Sequence, residues 1–425
     1  MQSGSGTSVV DAAAGADVVA GADVAAPNAE QAVWTERLSR RTAGKDGFLT
    51  GILALANASG VINFSGGFPA PELFPTDTVA AIVTELLAND AGVALQYAPS
   101  EGIAGVRAAL RDLVAADGHR PAEDELMITS GGIDAVTLIA KSMVDAGDVV
   151  AVEEPTYLGA VSGFTGFDAT MRGIAMDDDG MRVDALADLI ASGVVPKVVY
   201  TIPEYQNPTG RVLSLERRTA LVELCRRHRV LIVEDVAYRE LGFYGDKLPS
   251  LYALGPDVVV QMGTFSKTIF PGIRLGWACG PSDVVAQLVV AKQNSDQCAG
   301  ALGQRIAEAF LRGGHLPAQL ERERALYRER GEAMAAALRS HLPADAEWTV
   351  PRGGFFTWLR IPGIDTVELS AAAARENVAF VPGAPFFAEQ VQHDFLRLSY
   401  SRATTDEIDE GIARLARAAQ TLRSA

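Results

Sequence analysis

The chain has 425 residues, 48% of them hydrophobic, and 37 Lys and Arg against 53 Asp and Glu give a formal net charge of −16. A negative surface repels other polyanions, which excludes nucleic acid and anionic membrane as partners, while about 150 residues per domain predicts two or three domains with a core that needs no staple. Three cysteines without paired spacing, Cys225, Cys279 and Cys298, exclude a disulfide framework and a zinc site and fit a reducing, cytoplasmic setting.

Residues 1–33 are rich in Ala, Gly, Val and Ser, contain no aromatic residue, and are interrupted by Asp11, Asp17 and Asp23. With no Lys or Arg before Arg37, they are not a secretory signal and are read as a disordered or loosely ordered tail. No uncharged apolar run reaches the roughly 18 residues of a membrane span. Farther on, short apolar runs predict strands at Glu125–Thr129, Val149–Glu153, Lys197–Ile202, Val230–Glu234, Val258–Met262 and Arg274–Cys279. Helical periods lie between them, as at Ile133–Val144 and Leu215–His228. Strands apolar on both faces that alternate with helices predict an α/β fold with a mainly parallel sheet covered on both sides. A long helix is predicted over Leu316–Leu342, then strands at Phe355–Ile361 and Phe395–Tyr400 around a helix at Val367–Glu376, and a last helix from Thr405 to Leu422. This second pattern reads as a smaller α+β domain.

The most informative segment is Gly263–Gly276, where Lys267 follows an apolar strand among Thr264, Ser266 and Thr268 and precedes Arg274. An amine that forms a Schiff base needs a fixed perch and a depressed pKa, and hydroxyls beside a guanidinium suit a phosphate. At Glu234–Tyr238 a carboxylate, Asp235, ends an apolar strand and a phenol follows three residues later. A buried carboxylate needs a cation or donor; a protonated ring nitrogen qualifies, and so does the N-terminus of a following helix. At Tyr205–Gly210 the Asn207-Pro208-Thr209-Gly210 run is explained by turn chemistry alone. Gly131 and Gly132 join a strand to a helix, where free N–H groups can hold an anion.

In this order the motifs resemble the class I/II aminotransferases, fold-type I enzymes of pyridoxal 5′-phosphate, within the branch holding 2-aminoadipate, aromatic and kynurenine aminotransferases. The resemblance covers roughly residues 45 to 422 and includes Asn63–Pro75, Leu95-Gln96-Tyr97, Glu154–Tyr157, Gln206–Gly210, Asp235–Tyr238, Ser266-Lys267, Pro271–Arg274, Val381–Gly383 and Leu396–Ser399. It implies a large domain over residues 75–313 with a seven-stranded, mainly parallel sheet. A small C-terminal domain would span 314–425, with an N-terminal arm over 34–74 that partly joins it. The resemblance also implies that Lys267 forms the Schiff base and shuttles protons. Asp235 would pair with the ring nitrogen, Asn207 and Tyr238 would bond the ring's phenolate oxygen, and Tyr157 would stack on the ring. Gly131, Gly132, Thr264, Ser266 and Arg274 would hold the phosphate, with Tyr97 reaching the phosphate of a neighbouring subunit in a homodimer. Arg397 would take the substrate α-carboxylate, with Gly67 beside it. These parts imply transfer of an α-amino group from an L-amino acid to a 2-oxo acid by a ping-pong cycle. The same core also serves enzymes that eliminate, cyclise or oxidise amino acids, and regulators that use such a domain as a ligand sensor behind a basic DNA-binding domain; only an acidic tail precedes Trp34.

The chain departs from that pattern in three places. Gly132-Ile133-Asp134 stands where Ser-Gln-Gln is common, so the phosphate must rest on backbone N–H groups, Thr264, Ser266 and Arg274. Phe48–Leu53 lacks an arginine for a distal carboxylate. Glu204-Tyr205 precedes the Asn-Pro turn, which points to a basic, arginine-like substrate paired with Glu204, or else to Glu204 facing solvent or pairing with a nearby Arg.

Overall fold

Strands apolar on both faces must be sandwiched, and the chain achieves this by alternation. The computed structural model describes residues 34, 37–39, 41, 60–245 and 247–424, so the predicted tail and Phe48–Leu53 lie outside the described residues. In chain order the main elements are β1 (Ile62–Asn63), α1 (Thr76–Asn89), α2 (Ala104–Ala115), β2 (Leu126–Thr129), α3 (Gly132–Met143), β3 (Val149–Glu154), α4 (Leu158–Thr165), β4 (Thr170–Asp177), β5 (Gly180–Met181) and α5 (Val183–Ala191). Then come β6 (Val198–Thr201), α6 (Leu215–His228), β7 (Leu231–Asp235), β8 (Val259–Thr264), β9 (Gly276–Cys279), α7 (Ser282–Gln293), α8 (Ala301–Arg312) and α9 (His315–His341). The last are β10 (Glu347–Trp348), β11 (Phe356–Arg360), α10 (Thr366–Arg375), β12 (Val378–Ala379), β13 (Val381–Pro382), β14 (Phe395–Ser399) and α11 (Thr405–Ser424).

The large sheet has the order β2-β9-β8-β7-β6-β3-β4-β5. Its centre, β8-β7-β6-β3-β4, is parallel, and β9 and β5 run antiparallel to their neighbours. It therefore has eight strands where seven were expected. The additional β5 is a two-residue strand that turns back on β4 through Met176↔Met181 and Asp177↔Gly180, too short to leave an apolar run. β4 itself was not among the predicted strands, because most of its residues are partly or fully exposed and carry no continuous apolar signal. The strand predicted from Arg274 begins instead at Gly276, since Arg274 has φ 49° at the end of a tight turn. A second, four-stranded antiparallel sheet has the order β10-β11-β14-β13, and β1 pairs in parallel with β12. The boundary expected at residues 313–314 falls between α8 and α9. No helix among the described residues is long and apolar enough to cross a membrane.

Candidate active site

In parallel sheets, ligands gather beyond the carboxyl ends of the strands, and the predicted residues lie there. Asp235 closes β7 and Thr264 closes β8, with Ser266 and Lys267 in the turn after it. Asn207 follows β6, Tyr157 follows β3, and Gly131 follows β2.

The Lys267 ammonium donates to the Gly67 carbonyl at 2.8 Å and lies 5.8 Å from the centre of the Phe355 ring. Burial, followed by the positive charges of Arg397 and Arg274, brings this amine down to about 8, with Asp235 acting in the opposite direction. Gly67 is required here, because a Cβ at that position would fall 2.5 Å from the Phe356 ring.

Asp235 is buried, and its carboxylate accepts from the Tyr200 hydroxyl at 2.7 Å and from the Ala237 amide at 3.0 Å. Burial raises its pKa, while Tyr200, Ala237 and Lys267 work against that shift. The bond to Ala237 is the local turn bond that a capping Asp would make. The bond to Tyr200 crosses to the neighbouring strand and aims the second oxygen. Burial, first of all, pushes the Tyr238 phenol well above the ordinary tyrosine range, with nearby Asn207 working against that shift.

Arg397, on β14, is buried and donates to Asn207 Oδ1 at 2.9 Å and to the Ser65 carbonyl at 2.6 Å. Its guanidinium lies 4.3 Å from the Phe356 ring centre and 5.0 Å from that of Phe386. Burial lowers its pKa to about 10. Its Nε is buried without a partner, and no carboxylate of the described residues forms an ion pair with it. A buried cation in this state is costly unless an anionic ligand completes it.

A second anion subsite forms around α3. Gly131, at the N-cap, has φ 103°, and a Cβ there would meet Arg274 Nη2 at 2.8 Å. Arg274 is exposed, and its hydrogen bonds are long: 3.5 Å to Ser266 Oγ, 3.3 Å to the Pro271 carbonyl and 3.5 Å to the Ser130 carbonyl. Thr264 and Ser266 share a hydroxyl contact of 3.0 Å beside it. Free helix N–H groups, two hydroxyls and a guanidinium without a carboxylate fit a phosphate. Tyr157 feels Asp235, Arg397 and Arg274 together; burial, first, pushes its phenol up to about 12.

Two predicted residues lie elsewhere. Tyr97 is 77% exposed and takes no part in the site of its own chain. Glu204 requires a correction as a substrate partner: it is 6% exposed, and its Oε1 accepts from Arg218 at 2.6 Å and also from Arg239. Its charge is met by two buried arginines inside the protein through Oε1, while Oε2 is buried without a partner. The alternative, pairing with a nearby Arg, is the one realised.

Sequence reasoning missed several supporting residues. Glu153 is buried, accepts from Thr201 Oγ1 at 2.5 Å, from the Ile202 amide at 3.2 Å and from Gln206 Nε2 at 3.0 Å, and is lifted to about 7 by burial. It thereby anchors the turn that carries Asn207. Tyr200, Ser65, Arg218 and Arg239 were missed as well. A polar residue inside an otherwise apolar strand, as in Val198-Val199-Tyr200, was the available signal.

Residues 59–415 match the family model described as aminotransferase class I and II. The chain is 38% identical over 376 residues to the 2-aminoadipate transaminase of Thermus thermophilus, covering 87% of this chain and 93% of that protein. It is 37% identical over 372 residues to aromatic-amino-acid aminotransferase 1 of Thermococcus litoralis, covering 86% and 89%. Among solved structures, a Pyrococcus horikoshii kynurenine aminotransferase superposes with a TM-score of 0.88 at 34% identity, over 92% of this chain and 98% of that one.

Proposed function

The chain belongs to the class I and II aminotransferases, pyridoxal 5′-phosphate enzymes of fold type I, and from that premise we propose that it moves the α-amino group of an L-amino acid with an uncharged, preferentially aromatic side chain to a 2-oxo acid by a ping-pong cycle. The observation that carries this reading is Arg397, a buried guanidinium without a carboxylate partner among the described residues, set among Phe356 and Phe386 and bonded to Asn207. Pairing of Glu204 with Arg218 and Arg239 removes the support for a basic substrate.

When bound, pyridoxal 5′-phosphate supplies an aldehyde that captures amines and a ring that accepts the electron pair left when Cα loses its proton. Gly131, Gly132, Thr264, Ser266 and Arg274 would hold its phosphate, and Tyr157 would cover a ring face. Asp235 would keep a proton on the ring nitrogen, a task helped by the Tyr200 bond that fixes its orientation. Asn207 and Tyr238 would donate to the ring's phenolate oxygen. Lys267, being partly neutral near pH 8, would take the Cα proton and return it on the far side of the amino nitrogen, to the cofactor carbon two atoms away. Arg397 would hold the carboxylate so that the Cα–H bond faces Lys267, with Gly67 leaving space for it.

We further propose a homodimer in which Tyr97 completes the partner's phosphate site. The exposed apolar residues Val93 (49%), Leu95 (67%) and Tyr97 (77%) on one short stretch support this arrangement.

Arg397→Lys should cost about 100-fold in kcat/KM, since lysine keeps the charge but loses the forked geometry. The cofactor absorbance should be unchanged. Steady-state kinetics on aromatic and basic amino acids would check both the loss and the substrate class. A single turnover that yields the 2-oxo acid without ammonia release or oxygen uptake is the outcome expected of amino transfer; ammonia release or oxygen uptake would overturn it.

A further inference from the structure

The first turn of α3 carries a carboxylate in the wrong place for a phosphate site. Asp134 Oδ2 accepts the Ser130 amide at 2.7 Å, one residue before the Gly131-Gly132 turn. A second carboxylate, Asp296, accepts the Ser130 hydroxyl at 2.5 Å. Two negative charges at a helix N-terminus weaken its attraction for an anion, and a bound phosphate ester adds close to two more at neutral pH.

The compensating cation is Lys292 of α7, whose side chain is fully buried. Its ammonium lies 2.9 Å from Asp134 Oδ2, 2.8 and 2.9 Å from the two oxygens of Asp296, and 3.2 Å from Ser130 Oγ. Ser130 is thus held on every side, with its amide on Asp134, its hydroxyl on Asp296 and its carbonyl near Arg274 at 3.5 Å. The cluster fixes the peptide that leads into Gly131.

We propose that Lys292 is a positioning and charge-compensating residue which makes this acidic cradle able to bind the cofactor's phosphate. The inference rests on the cofactor reading above. It also explains how Asp134 can occupy the position where an amide was expected: buried Lys292 offsets one of the two negative charges of the Asp134–Asp296 pair, and Asp134 in return holds Ser130.

The test is to strip holoenzyme of cofactor and titrate it by visible absorbance with two probes, pyridoxal 5′-phosphate and pyridoxal, which lacks the charged group. Lys292→Met should weaken the affinity for pyridoxal 5′-phosphate on the order of tenfold or more and leave pyridoxal unchanged. Added salt should narrow the loss. Asp134→Asn alone should tighten the phosphate-bearing probe several-fold. Lys292→Met combined with Asp134→Asn alone, which keeps the cluster's net charge, should return close to the wild-type value. Equal weakening for both probes, or no recovery in the double variant, would reduce Lys292 to a structural part and overturn the proposal. Should Lys292→Met fail to fold, Asp134→Asn decides, because an unchanged affinity for pyridoxal 5′-phosphate overturns the proposal equally. A wild-type protein that takes up neither aldehyde defeats the cofactor reading itself, whereas the former outcomes leave that reading intact.

Discussion

Lys267→Ala should lower kcat by at least about 10⁴-fold, because it removes both the amine that captures the cofactor and the base that moves the Cα proton. The visible absorbance that appears on cofactor addition should vanish, while circular dichroism stays that of the folded protein. The depressed pKa matters here. At pH 7 an amine with pKa about 8 is roughly one-tenth neutral, against about one in 3000 at the ordinary value of 10.5. Cofactor uptake by stripped wild-type protein should therefore speed up with rising pH and level off above about pH 8. An alanine variant that keeps turnover, or uptake that shows no pH dependence, would refute the role given to Lys267.

Glu204→Ala should destabilise the fold by about 3–5 kcal/mol, since it leaves the buried Arg218 guanidinium without a carboxylate and takes one of two carboxylates from buried Arg239. Arg218 is fully buried and also donates to the carbonyls of Leu213, Pro249 and Pro203. Arg239 is buried too, and donates to Asp117 at 2.7 Å and to the Leu248 carbonyl at 2.7 Å. Glu204 lies three residues before Asn207, and Arg239 directly follows Tyr238, so this ion cluster also ties together the two segments that carry the proposed phenolate donors. Urea unfolding measures the loss. The milder Glu204→Gln should leave the ratio of kcat/KM for basic and neutral amino acids where it was; a change in that ratio would restore Glu204 to the substrate.

Much of the site was legible because its residues sit in local motifs. Lys267, Asp235, Asn207, Tyr238 and Gly131 each follow a strand that apolar composition reveals, and Arg397 lies on one, β14. What escaped was pairing across the fold. Tyr200 meets Asp235 from 35 residues away, Glu153 meets Gln206 from 53, and Lys292 meets Asp134 from 158. Periodicity reports which face of an element is buried but not which charge waits on its neighbour. Glu204 illustrates the same limit, since the sequence placed it near the site and only the packed position of Arg218, an arginine on the inner face of α6, decides where its carboxylate goes. β4 and β5 were lost for different reasons: partly exposed β4 carries no apolar composition to mark it, and β5, though buried, is too short to leave a run.

The short stretch from Ser65 to Gly67 receives both working cations, Arg397 on the Ser65 carbonyl and Lys267 on the Gly67 carbonyl. Two residues of chain span at most about 7 Å, so one short run of main chain ties the positions of Lys267 and Arg397 to each other, although they come from different sheets.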